Sequence, residues 1–245
     1  MEGLEGMWEN LRLTEKESSL IKLGGMEERM REKGGNSLVG KIWIDRQIGR
    51  EFVESTMGKI WRVSKPARFQ EIGSNMFIIT FFTHADMDRV MDGRPWLFDN
   101  HLFALKLFDG LAQAQSIVFD TEVFWIRMLN LPLGSMNEEC GRMIGSTVGK
   151  VVEVDVPEDG IGWGSSLRVR IEIPIQQAIT RGRMVAVEGK KVWVSLKYEK
   201  LPRLCFECGL MVHDGSGCCK IGGGRGEGPH FGAWLRAEKT TRSAF

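Results

Sequence analysis

Gly73-Ser74-Asn75-Met76-Phe77-Ile78-Ile79-Thr80-Phe81-Phe82-Thr83-His84-Ala85-Asp86 is the stretch whose reading decides the fold. Three turn formers open it, a run of β-formers follows, and Thr83 stands where a helix needs an N-cap. Met87, Val90 and Met91 then recur at helical spacing until Gly93. Upstream, 68–72 is a short strand that the turn folds back onto 76–82. Before it, Ile48, Phe52, Val53, Met57, Ile60 and Trp61 form one apolar helix face over 48–61, and 38–44 alternates as a strand. Downstream, 102–108 supplies a last strand. The order β-α-β-β-α-β predicts an α+β, ferredoxin-like (RRM-like) domain over 37–110, the arrangement of RNA-recognition domains.

Such a fold leaves one sheet face open, and alternation assigns residues to it. Phe77, Ile79 and Phe81 point to the helices, so Met76, Ile78 and Thr80 face outward. On the first strand Ile42 and Ile44 are core, which puts Trp43 on the open face. The paired stacking aromatics of an RNA-recognition sheet are missing, and Trp43 alone is the candidate platform.

Residues 1–36 read as a helical, charged arm, with Leu4, Trp8 and Leu11 at helical spacing and a capping box at Thr14-Glu15-Lys16-Glu17. A polar, alanine-rich linker at 110–121 leads to a second small α+β unit over 121–200. Its expected strands are 123–128, 151–155, 167–173, 184–187 and 192–198, the last two joined by a hairpin at Glu188-Gly189-Lys190-Lys191. A short helix is expected over 137–144 and a helical turn over 174–180. The pattern allows either a variant of the same split βαβ fold or a half-barrel.

The chemistry sits in 201–220. Cys205, Cys208, His213 and Cys218 follow the spacing C-x2-C-x4-H-x4-C, close enough to meet on one tetrahedral ion. Soft thiolates and a borderline imidazole suit Zn2+, and four protein ligands leave no open position, so the ion is structural. In isolated zinc-finger peptides such a site supplies about 10–16 kcal/mol of folding free energy. Cys219 offers an alternative fourth ligand. The glycine-rich segment in the 221–245 tail lacks a Gly-Lys-Ser/Thr ending and reads as a spacer, not a phosphate loop.

Phe206 and Gly209 complete a resemblance to the retroviral-type CCHC zinc knuckle, a single-strand nucleic-acid binding module. Gly93-Arg94-Pro95-Trp96, Tyr198-Glu199-Lys200-Leu201-Pro202 and Phe231-Gly232-Ala233-Trp234-Leu235-Arg236-Ala237 extend it. Together they resemble a plant family that joins an N-terminal domain of unknown function to such a knuckle. Many of its members are relics of LINE-type (non-LTR) retrotransposons, similar to the first-open-reading-frame product, a nucleic-acid-binding protein. The resemblance implies sequence-tolerant binding of single-stranded RNA or DNA without catalysis.

The nucleic-acid-binding candidates are Phe206 for base stacking, Lys200, Arg203 and Lys220 for phosphates, and Trp43 on the sheet. Arg168 and Arg170 lie on the polar face of their strand, where a solvated surface is the plainer reading. A net charge of +1 argues against a uniformly basic binder, so binding rests on local patches. No His, Cys and carboxylate constellation suggests an enzyme. With no apolar h-region at the start and no apolar run of about 20 residues, no signal peptide, membrane span or membrane partner is expected. Three of five cysteines belong to the knuckle, which points to the reducing nucleus or cytoplasm. The sequence names no protein partner and leaves open whether copies form a homo-oligomer.

Overall fold

β1 (Ser37–Ile42) is the strand around which the first sheet assembles. It pairs antiparallel with β3 (Met76–Thr80) on one side and β5 (His101–Leu107) on the other. β2 (Arg68–Gly73) and β4 (Trp96–Phe98) form the edges, giving the order β2-β3-β1-β5-β4. α1 (Arg50–Trp61) and α2 (His84–Asp92) pack on one face. The structure is a computed structural model that describes residues 14–21, 34–108, 110–213, 218 and 230–238. Most of the expected arm, with Leu4, Trp8 and Leu11, lies outside the described residues. Within 14–21, Glu17 accepts hydrogen bonds from the Thr14 amide and hydroxyl at 2.8 Å, half of the capping box.

The β-α-β-β-α-β order is present, with β4 added. Three residues are too short to register as a strand by alternation, but Asp99 and Asn100, at φ 49° and 63°, make the tight hairpin that joins β4 to β5. β1 stops at Ile42 and β3 at Thr80, each two residues short of expectation. α1 starts two residues after Ile48, whose amide donates instead to Asn75 Oδ1 at 2.9 Å. Thr83 caps α2, its hydroxyl accepting from the Asp86 amide. Asp86 itself is buried and accepts from the Ser64 amide, so it is no surface group.

Phe77, Ile79 and Phe81 turn toward the helices as the alternation predicts, and Trp61 fills the space among Phe69, Phe81 and Phe103 with ring centroids 5.7–6.0 Å apart. The other face is not open. Val39, Leu102 and Ala104 on it are buried in a second cluster, and Trp43 and Met76 pack half-buried against the same cluster. This corrects the expectation of a solvent-facing sheet: that face carried enough apolar surface to need a cover.

The cover comes from the rest of the chain: Phe119, Leu201, Leu204, Met211 and Val212 are buried in the same cluster, which continues into a second sheet. β6 (Thr121–Leu129) pairs with β8 (Ser166–Pro174) and β10 (Lys190–Tyr198), while β7 (Lys150–Asp155) and β9 (Gly182–Val187) form the edges. The order β7-β8-β6-β10-β9 repeats that of the first sheet strand for strand, which decides for a variant of the same fold. α3 (Glu138–Ser146) stands where α1 stands in the first unit. In place of α2 comes an irregular segment over 175–181, where a helical turn was expected; Ile175 and Ile179 bury themselves in it. The shared cluster runs from Phe124, Ile126, Val169 and Leu196 of this sheet to Val39 and Leu102 of the first.

Polar groups fix the joint. Arg170 Nη2 donates to Asp92 O at 2.8 Å and Lys200 Nζ to Gly93 O at 2.7 Å, placing two cations at the negative end of α2. Beside them Glu122, 1% exposed, accepts from the Val123 amide at 2.8 Å and lies 3.6 Å from Arg94. Burial pushes its carboxyl up to about 7, against the pull of Arg94. The folded chain therefore keeps this proton over a range where the unfolded chain, near 4.5, has released it. Stability from this group is full below 4.5 and is lost as pH rises toward 7, by about 3 kcal/mol across the window. Urea titrations from about pH 5 to pH 7.5 should show the wild type losing about 3 kcal/mol relative to Glu122→Gln, which has no such proton to release. Parallel curves for the two proteins would contradict it.

Candidate metal centre

β10 ends at Tyr198, and the chain turns through Lys200, at φ 49°, into the knuckle. A tight turn follows, in which Gly209 N donates to Cys205 O and Cys205 N to Leu210 O, both at 2.9 Å. It brings Cys205 and Cys208 to one side, and His213 and Cys218 close from the other. The four ligand atoms all lie within 4.8 Å of one another. Cys205 Sγ is 3.7 Å from Cys218 Sγ, and Cys208 Sγ is 3.3 Å from His213 Nε2. Two sulfurs bound at about 2.3 Å on a tetrahedral ion stand about 3.8 Å apart, so the cluster fits one structural zinc held through Nε2 of the histidine.

The electrostatics agree with that donor set. Burial raises the Cys208 thiol to about 11, and the Cys205 and Cys218 sulfurs beside it add to the shift. Thiolates this crowded repel one another, and a divalent cation among them reverses the balance. Cys218 is the fourth member of the cluster; Cys219, the sequence alternative, lies outside the described residues.

The knuckle is docked, not tethered. Leu204, Met211 and Val212 belong to the shared core, and the Ile179 amide donates to Gly209 O at 3.0 Å. Gly209, at φ 77°, has the Phe231 ring against its Cα, where any Cβ would collide. The segment beyond returns to β10: Ala237 N donates to Tyr198 O at 2.9 Å, and Tyr198 bridges Arg236 in parallel.

A cleft of about 710 Å3 opens between this centre and the β1 end of the first sheet. Lys41, Trp43, His101 and Arg203 line it, and Cys205 and His213 form its knuckle wall. Lys41 Nζ stands 4.2 Å over the Trp43 ring. Arg203 is exposed and is held by its own amide, which donates to Asn100 O at 2.7 Å. The cleft thus offers an indole and two cations to one occupant, against the single carboxylate of Asp45.

Of the sequence-predicted residues, Trp43 and Arg203 come together here. Phe206 is on the knuckle, 48% exposed, outside the cleft lining. Lys200 points back to α2, donating to Gly93 O and standing 4.5 Å from the Trp96 ring centroid. Lys220 lies outside the described residues. Arg168 is occupied by Glu199 and Asp155. Lys41 and His101 were not legible as site residues, because only the pairing of β1 with β5 brings them to one end.

Comparison with known proteins bears on both parts. Residues 30–109 match the family described as "Domain of unknown function (DUF4283)". Residues 178–220 match the family described as "Zinc knuckle". An uncharacterized protein of Arabidopsis thaliana, At4g02000, is 25% identical over 139 residues, 54% of this chain and 42% of that protein. The chain thus spans less than half the length of that relative. A solved structure, the C. elegans NONO-1 homodimer, is similar over 57% of this chain and 50% of that one, with 14% identity and a TM-score of 0.23, too loose a likeness to carry an argument. No helix among the described residues is long and apolar enough to cross a membrane. The chain joins a domain of unknown function to a zinc knuckle whose four ligands are assembled.

Proposed function

We propose that the chain is a zinc-dependent, non-catalytic binder of single-stranded RNA or DNA, with the strand seated in the cleft between the first sheet and the knuckle. The observation that carries the reading is the convergence of Trp43, Lys41 and Arg203 on a cleft walled by two zinc ligands. An indole stacks any base and cations neutralise phosphates, so this lining is sequence-tolerant. Phe206, exposed on the adjacent knuckle surface, stacks a further base, and Lys220 follows it in the chain. Lys200 contributes by holding the joint. The pairing of this domain with a knuckle also supports descent from a non-LTR retrotransposon first-open-reading-frame protein and action in the nucleus or cytoplasm. A protein-interaction module is the rival, favoured by the net charge of +1.

Removing zinc is the first test. Binding to the folded state at free zinc a thousandfold above Kd stabilises a protein by about 4 kcal/mol, so chelation lowers the melting temperature, and Cys208→Ser abolishes that response. Bound metal measured by mass spectrometry should be one zinc per chain, and absence of zinc from the purified protein would refute the centre.

Strand binding is the second. Fluorescence anisotropy with a single-stranded oligonucleotide should lose affinity on chelation. Arg203→Glu should lower the log–log salt slope by about 0.7, and Phe206→Ala should cost about 1–3 kcal/mol. Affinity untouched by chelation would remove the knuckle from the site, and no binding at low salt would favour the interaction module.

A further inference from the structure

The β9–β10 edge of the second sheet carries two indoles that neither the metal centre nor its cleft uses. Trp193 on β10 is 44% exposed, and Trp234, in the single turn at Ala233–Leu235, is 53% exposed. Both are seated on glycines. A Cβ on Gly182 would collide with the Trp193 ring, and one on Gly232 with the Trp234 ring. Each indole therefore rests against backbone where only glycine leaves room, which restricts its orientation before any ligand arrives.

Charge around them is one-sided. Trp193 and Trp234 line one cavity of about 360 Å3 with Arg181 and Lys197. Trp193 and Arg181 also line a second cavity of about 320 Å3, with Arg183. Among the described residues, no carboxylate lines either cavity. Arg181 donates to His230 O and Arg183 to Thr147, both neutral acceptors, and Lys197 has no ion-pair partner among the described residues. In a chain with 33 basic and 32 acidic residues, three cations with no acid among the described residues lining the same cavities are a marked local excess.

Flat indole faces select flat rings, and unopposed cations select anions. A single nucleic-acid strand has both along its length, where an acidic peptide lacks the rings. We propose that the β9–β10 edge is a second single-strand nucleic-acid surface, with bases against Trp193 and Trp234 and phosphates on Arg181, Arg183 and Lys197. The choice of occupant rests on the nucleic-acid reading above, but none of the residues is shared with the cleft. Phe231 lies between the two surfaces: its ring packs on Gly209 of the knuckle, and the Arg181 guanidinium stands 5.6 Å from its centroid.

The test uses the zinc-loaded full chain and a fluorescein-labelled single strand of about a dozen nucleotides, read by anisotropy over a salt series. Trp193→Ala and Trp234→Ala should each weaken binding about tenfold, and Lys197→Glu should lower the salt slope by about 0.7 or more. Trp193→Phe should recover most of the loss. A duplex of the same length, whose bases are stacked already, should bind these variants and the wild type alike. Unchanged strand affinity in both tryptophan variants, with zinc content and melting temperature intact, overturns the inference and leaves the cleft reading standing. Weakening in these variants but none in Arg203→Glu keeps this surface and removes the cleft. Should Trp193→Ala fail to fold, Lys197→Glu decides alone, and an unaltered affinity and slope there overturns the proposal.

Discussion

Burial of the first sheet on both faces is the constraint on which the rest depends. α1 and α2 cover one side, and on the other Val39, Leu102 and Ala104 are buried in the cluster that runs through Leu204, Met211 and Val212 into the second unit. That apolar contact sets where the second unit sits, and so where the knuckle sits. The polar joint then fixes the angle. Arg170 and Lys200 reach the last carbonyls of α2, while Glu122 and Arg94 meet in the dry space alongside. With both units held, the zinc ligands and the end of β1 face each other across a cleft neither unit could form alone.

Much of this was written in local pattern. The strand and helix order of the first unit follows from alternation and capping, and the four ligands follow from spacing, because both are short-range constraints. The pairing of faces is a long-range one. Alternation correctly placed Trp43 opposite the helices, but nothing in residues 76–82 or 38–44 says whether that face meets water or is covered by a later part of the chain. The same holds for Lys200. Beside a knuckle it reads as a phosphate ligand, yet the turn at φ 49° aims it at Gly93, a partner 107 positions away in sequence. β4 was missed for a different reason: three residues carry no period, and the Asp99-Asn100 turn was its only local mark.

The second unit shows how one topology is adapted. It repeats the strand order of the first but replaces the second helix with the segment at 175–181. The Ile179 amide in that segment holds Gly209 of the knuckle, so the gap left by a helix has become a seat for the metal-bound turn.

Cys205 and His213 are at once zinc ligands and wall of the cleft. Whatever settles there and gains affinity from an ordered wall must, by reciprocity, hold the ion more firmly by the same factor. Metal affinity and occupancy of the cleft are then coupled variables: as zinc falls, empty copies would release their ions before occupied ones.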